Sequence, residues 1–199
     1  MSSRKRHAFR LLLFTSSVSV FVVVVKRVAT GKARPRDESL RRKITSLQSP
    51  EMDIVSTVLT VATAPALLVA SSLAVAFRLR HLGANVWLPL ASAPLVAMTA
   101  GRCFTEILPQ QYSPTSKDGK REPCFPSGHT TGATTEMLTI AYVLERSGVI
   151  NTPVAMAIAL APIAGALNRL YRDRHWTSDI VAGLSAGTAI ATVLSSISD

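Results

Sequence analysis

Apolar residues in this chain gather into long runs in place of the short alternations of a soluble core. Five or six such runs can be marked, at residues 11–25, 54–77, 86–108, 130–143, 154–167 and 180–197, against the roughly 20 residues an α-helix needs to cross a bilayer. A core helix of a soluble protein would alternate a polar stripe with its apolar face, and the run at 180–197 has only Ser and Thr to offer. The run at 130–143 is polar for a span and carries Glu136. The pattern predicts an all-α integral membrane bundle of about six transmembrane helices.

The segments between the runs refine this picture. The first run follows a basic stretch, as in a secretory signal peptide, but Lys26, Arg27 and Lys32 come directly after it. Charges there fit a cleavage region poorly, so residues 1–36 read as a basic segment with an uncleaved anchor helix, and 37–199 as the main membrane domain. At 37–47, Leu40, Ile44 and Leu47 recur at helical spacing among Arg41, Arg42 and Lys43, which suits a short helix lying in the interface. Trp87, Tyr112, Tyr171 and Trp176 fall near span ends, where amphipathic rings sit well at headgroup level. Gly183 and Gly187, with Ala182 and Ala186 alongside, predict close packing of the last helix. That face suits either an internal neighbour or a second copy in a homo-oligomer.

The chain has 199 residues and a formal charge of +10. A basic chain invites the thought of nucleic acid, but Lys and Arg lie at the ends of apolar runs and no recognition motif accompanies them. The expected partner is a lipid surface, with anionic headgroups meeting the basic termini of the spans. Cys103 and Cys124 are too few for a disulfide scaffold and lack metal-ligand spacing. They read as two inert thiols, or as one bridge closing the loop between the third and fourth spans.

Candidate chemistry concentrates in two short stretches. His175 and Asp179 are separated by one helical repeat at the start of the last span, so a carboxylate can hold one ring nitrogen as N–H and leave the other as a nucleophile. Arg169 lies across a short turn, and a guanidinium there can grip phosphate oxygens through parallel hydrogen bonds. Upstream, Pro126-Ser127-Gly128-His129 enters another span. Unpaired backbone N–H groups at such a helix start favour an anion, and a histidine beside them can protonate a leaving oxygen.

Pro-Ser-Gly-His followed by Arg-x5-His-x3-Asp in a multispan chain resembles the type 2 phosphatidic acid phosphatase superfamily, which also includes vanadium-dependent haloperoxidases. The resemblance covers roughly residues 37–199. It implies a compact bundle of about six helices with a metal-independent phosphomonoesterase site at one membrane face. It further implies His175 as the nucleophile that forms a phosphohistidine, Asp179 as its orienter and His129 as proton donor to the leaving group. Arg169, Ser127 and the backbone of Gly128 would bind the phosphoryl oxygens. No cofactor is expected, and no carboxylate cluster able to hold a divalent ion is visible in the sequence.

One departure stands out. The family's first motif, Lys-x6-Arg-Pro, is absent as a string, and Arg102 can take only its first position, because Pro109 stands where the Arg would be. Lys117, Lys120 or Arg121 could instead swing onto the phosphate from the loop. An ion pair of Arg102 with Glu106 or Glu136 is the competing expectation for charges at membrane depth. The implied activity is removal of phosphate from a lipid phosphate or diphosphate, with a lipid phosphotransferase or an impaired scaffold as rivals. Charge counting leaves orientation balanced once the motif residues are set aside, and family habit points to an outward-facing site in a bacterial plasma membrane.

Overall fold

The structure is a computed structural model and describes residues 3–115 and 120–198. Its helices are α1 (Ser3–Ala29), α2 (Arg34–Thr45), α3 (Pro50–Ala62), α4 (Pro65–Leu79), α5 (Ala84–Ile107), α6 (Gly128–Arg146), α7 (Thr152–Tyr171) and α8 (Thr177–Ser195). Among the described residues there is no strand, only one isolated antiparallel bridge between Tyr112 and Pro123. The all-α membrane fold expected from the hydrophobic runs is therefore present. Four stretches, Arg4–Ala29, Pro65–Leu82, Thr152–Tyr171 and Thr177–Ser198, are long and apolar enough to cross a membrane.

The expected single span at 54–77 is two helices. Pro65 has no N–H to donate and its ring crowds the preceding turn, so α3 ends at Ala62, and Ala64 adopts extended backbone before α4 begins. Helix α5 keeps its course through Pro89 and Pro94. Pro94 cannot bond the carbonyl of Leu90, and the buried Ser72 hydroxyl on α4 donates to that oxygen at 2.7 Å. Ser72→Ala is expected to lower stability by about 1–3 kcal/mol, the cost of an orphaned buried acceptor. Thermal unfolding in detergent checks this, with Ser72→Cys, which retains a weak donor, falling in between.

Helix α6 explains why its run looked too polar. It packs against α4, α5, α7 and α8, and its Thr130, Thr131, Thr134, Thr135, Glu136 and Thr139 are all buried. Three of these hydroxyls donate to backbone carbonyls, Thr131 to Ser127 at 3.0 Å, Thr135 to Gly187 at 3.4 Å and Thr139 to Thr135 at 2.7 Å. The apolar exterior is supplied by helices such as α1, whose Leu11, Leu12, Val22 and Val23 are exposed and face the hydrocarbon.

The Gly183 and Gly187 face packs inside the chain. A Cβ on Gly183 would lie 2.9 Å from the Ser127 carbonyl oxygen, and one on Gly187 would lie 2.6 Å from Thr134 Cβ. Helix α6 occupies the face, which leaves no room there for a second copy. The two cysteines do not bridge: Cys103 is an exposed and Cys124 a buried free thiol.

Helix α2 begins three residues earlier than expected, with Pro35 in its first turn. It does more than lie on lipid, because Ile44 packs on a cluster of Ala166, Leu170 and Ile180 from α7 and α8. Two expected headgroup rings are also inside the protein. Trp176 is 2% exposed and donates its indole N–H to the Tyr112 carbonyl at 2.8 Å, while the buried Tyr171 hydroxyl donates to Asp53 at 2.8 Å. Trp87 and Tyr112 remain exposed, as expected of interfacial rings.

Candidate active site

The start of α8 carries the central pair. His175 Nδ1 lies 3.3 Å from Asp179 Oδ2, and the same oxygen accepts the Trp176 backbone N–H at 2.8 Å. This second bond ties the carboxylate to the first turn of its own helix, where the helix dipole also favours a negative charge. Gln111 donates its side-chain amide to Asp179 Oδ1 and to Ser178 Oγ. With three donors around it and no exposure, Asp179 can hold the His175 ring in one orientation. Nδ1 faces the carboxylate, so Nε2 is the nitrogen left for chemistry.

The loop carrying His175 is strapped from outside by α2. Arg41 donates through Nε and Nη2 to the two oxygens of Asp173, at 2.7 and 2.6 Å. Asp173 itself sits at φ 55°, a left-handed conformation that Asp tolerates better than most residues. Asp37 accepts the Ser178 N–H at 2.9 Å and its hydroxyl at 2.6 Å. Burial raises the Asp37 carboxyl above its ordinary value, against the lowering effect of those two bonds. The Arg34 guanidinium lies 4.1 Å from the centre of the Trp176 ring, a cation–π contact.

A cavity of about 900 Å³ opens in front of this loop, and Gly128, His129, Arg169, Arg172, Arg174 and His175 all line it. Residues from three separate helix ends thus converge, and the Ser127 N–H donating to the Asp179 carbonyl at 3.1 Å joins two of them directly. At the start of α6 the N–H groups of Gly128 and His129 have no acceptor within the helix. Ser127 is placed differently from expectation. It is fully buried behind the cavity wall, and its hydroxyl caps α6 by accepting from Thr130 N at 3.4 Å and Thr130 Oγ1 at 3.0 Å. Its hydroxyl therefore supports the helix end that faces the cavity instead of lining it.

The cations that sequence reasoning offered in place of the first motif separate in the structure. Arg102 lines the cavity, along with Glu106 and Glu136, yet among the described residues no ion pair joins it to either acid. Arg102 and Glu106 stand one turn apart on α5 and do not pair, and Arg102 does not reach Glu136 on α6. Arg121 and Lys120 are exposed and do not line it. Lys117 lies outside the described residues. Sequence reasoning gave no role to Arg172 and Arg174, although both sit within the Arg-x5-His stretch. Arg172 is braced by Ser56 at 2.7 Å and Thr57 at 2.9 Å. Gln111 and Asp37 lie 68 and 141 positions from their partners, so no local pattern could have paired them.

Cys124, His175 and Asp179 bring three possible metal ligand atoms within 4.8 Å of one another. They make a poor resident metal site. Both Asp179 oxygens already accept hydrogen bonds. Burial, together with the nearby Asp179 carboxylate, pushes the Cys124 thiol well above its usual range, against the thiolate a metal needs.

Fold and site together define an integral membrane helical bundle with two histidines, a carboxylate and several arginines gathered at one face. A family model described as the PAP2 superfamily matches residues 7–199, and the chain belongs to that superfamily, the type 2 phosphatidic acid phosphatases whose motifs its sequence resembles. No curated protein sequence matches it significantly. Among solved structures it is similar to the first transmembrane PAP2-type phosphatidylglycerolphosphate phosphatase from Bacillus subtilis, with 18% identity, a TM-score of 0.75, and coverage of 91% of this chain and 93% of the other. Aquifex aeolicus LpxE is similar too, with 21% identity, a TM-score of 0.59, and coverage of 79% and 92%. At these identities the likeness is one of fold.

Proposed function

We propose that this protein removes phosphate from a lipid phosphate or lipid diphosphate through a phosphohistidine on His175. The observation that carries the reading is the His175 ring, held at Nδ1 by Asp179 in the wall of a cavity that it shares with His129 and Arg169. Nε2 attacks phosphorus, the N–P bond forms and the P–O bond to the lipid breaks. His129 gives its proton to the departing oxygen. In the second half-reaction His129 takes a proton from water, the resulting hydroxide attacks phosphorus, the N–P bond breaks and inorganic phosphate leaves. Arg169, Arg172, Arg174 and the N–H groups at the start of α6 stabilise the charge on the phosphoryl oxygens throughout.

A lipid substrate is supported by what lies deeper in the same cavity, where Leu68, Val69, Ala97 and Met98 form apolar wall. The phosphatidylglycerolphosphate phosphatase from Bacillus subtilis gives a precedent for lipid phosphate chemistry on this fold. The active-site face belongs, by family habit, on the outer side of a bacterial plasma membrane.

The test is phosphate release by the purified, detergent-solubilised protein from a panel of lipid phosphates in excess chelator. Release without an added alcohol, with radiolabelled phosphate trapped on the protein in an acid-labile, base-stable form, is the expected result. Release only on adding an alcohol acceptor would favour a phosphotransferase. No release by a protein shown to be folded would favour a scaffold.

A further inference from the structure

Among the described residues, Glu136 is the one buried acid lining the cavity that the proposed reaction does not use. It lies seven residues beyond His129 on α6, about 10 Å deeper along the helix axis. It is 3% exposed, and its Oε2 is buried without a hydrogen-bond partner. Its side chain folds back towards the start of the helix, with Oε1 4.0 Å from where a Cβ on Gly132 would stand. The carboxyl group is thus carried up the wall towards the phosphate end, over a residue with no side chain to obstruct it. Arg102 and Glu106 face the same space from α5 without pairing to it.

A buried polar atom without a partner is costly, and native proteins retain one mainly where function supplies the partner. A carboxylate would need a paired cation, and Arg102, which lines the same cavity, does not pair with it. A carboxylic acid needs a carbonyl or hydroxyl, since it carries one O–H donor as well as an acceptor. Glu136 lines the cavity that would receive the substrate, whose polar groups can reach its carboxyl.

We propose that Glu136 is a specificity-determining residue that hydrogen-bonds an ester carbonyl of the lipid, selecting an acylglycerol phosphate over a polyprenyl phosphate. In an acylglycerol phosphate the ester groups stand between the phosphate and the chains, level with a side chain set between the phosphate end and the apolar floor. A polyprenyl phosphate becomes apolar directly after its phosphate and leaves Glu136 unpartnered. This inference rests on the lipid phosphatase reading and narrows its substrate class.

The experiment compares diacyl phosphatidate, its dialkyl ether analogue, which lacks only the carbonyls, and a polyprenyl phosphate in mixed micelles. The proteins are wild type, Glu136→Gln and Glu136→Leu, and the readout is kcat/KM. Wild type is expected to favour the ester over the ether by about 5- to 10-fold, the contribution of one hydrogen bond. Glu136→Leu should bring that ratio to about 1 by losing activity on the ester alone and should improve hydrolysis of the polyprenyl phosphate. Glu136→Gln, which keeps a donor, should retain most of the preference. Equal activity of wild type on ester and ether, or an equal loss on both in Glu136→Leu, overturns the inference and leaves the phosphatase reading intact. No release from any of the three lipids by folded wild type overturns both.

Discussion

His175→Gln is expected to lower phosphate release by about 10⁴-fold or more while leaving the thermal unfolding of the protein unchanged. Glutamine fills nearly the same space and can still donate to Asp179, so the start of α8 keeps its hydrogen bonds. What is lost is the ring nitrogen that faces the cavity, and the nearby Cys124 thiol, held protonated by burial and the Asp179 carboxylate, is a poor replacement as a nucleophile. Arg169, Arg172 and Arg174 carry no lone pair for attack, and His129 stands at the start of a different helix, α6. The arginines and the N–H groups at the start of α6 should still hold the anion. Binding of vanadate, which mimics the five-coordinate transition state, should therefore weaken far less than turnover falls. A variant that retains a tenth of wild-type turnover would remove His175 from the role of nucleophile.

The second large effect concerns the seam between α6 and α8. At Gly187 a Cβ would stand 2.6 Å from Thr134 Cβ and 2.7 Å from the Thr131 carbonyl oxygen, and neither can swing aside, since one is the root of a buried side chain and the other is backbone. Gly187→Ala is expected to cost about 1–3 kcal/mol, the usual penalty for overpacking a close interface, and Gly187→Leu should prevent the bundle from assembling. Gly101→Ala on α5 is the contrasting case, because nothing lies within 4 Å of its Cβ. It should be neutral or gain up to about 1 kcal/mol from helix propensity alone. Denaturation midpoints in SDS-containing micelles measure both. The seam also carries the active site, since the Ser127 N–H reaches the Asp179 carbonyl across it. Gly187→Ala should thus lower activity at temperatures where the protein remains folded.

Several readings from sequence could succeed because their signals are local. Runs of apolar residues mark helices wherever lipid, in place of water, receives the side chains, and every run falls on helix, although α1 begins eight residues before its run and the run at 54–77 is divided between α3 and α4. His175 with Asp179 and the Pro126–His129 turn were legible because each is a short segment whose geometry follows from one helix end. The break at Pro65 was also present as a residue, but the hydrophobic run on both sides masked it. Arg102, Lys117 and Arg121 were indistinguishable by type alone as substitutes for the missing motif.

By itself the sequence determined where the apolar segments lie and their nature, the family-like motifs and the helix-end chemistry, because those depend on spacing within one helix or turn. Only the tertiary structure decided that polar α6 is the centre of the bundle, that the Gly183 and Gly187 face is consumed internally, that Asp37 and Gln111 brace the start of α8, and that Arg172 and Arg174 share the cavity with the histidine. It also left Arg102 and Glu136 unpaired in the cavity wall. Those outcomes depend on which helix lies beside which. Helix association in a membrane is governed by close packing and by hydrogen bonds between distant residues, and neither leaves a periodic mark along the chain.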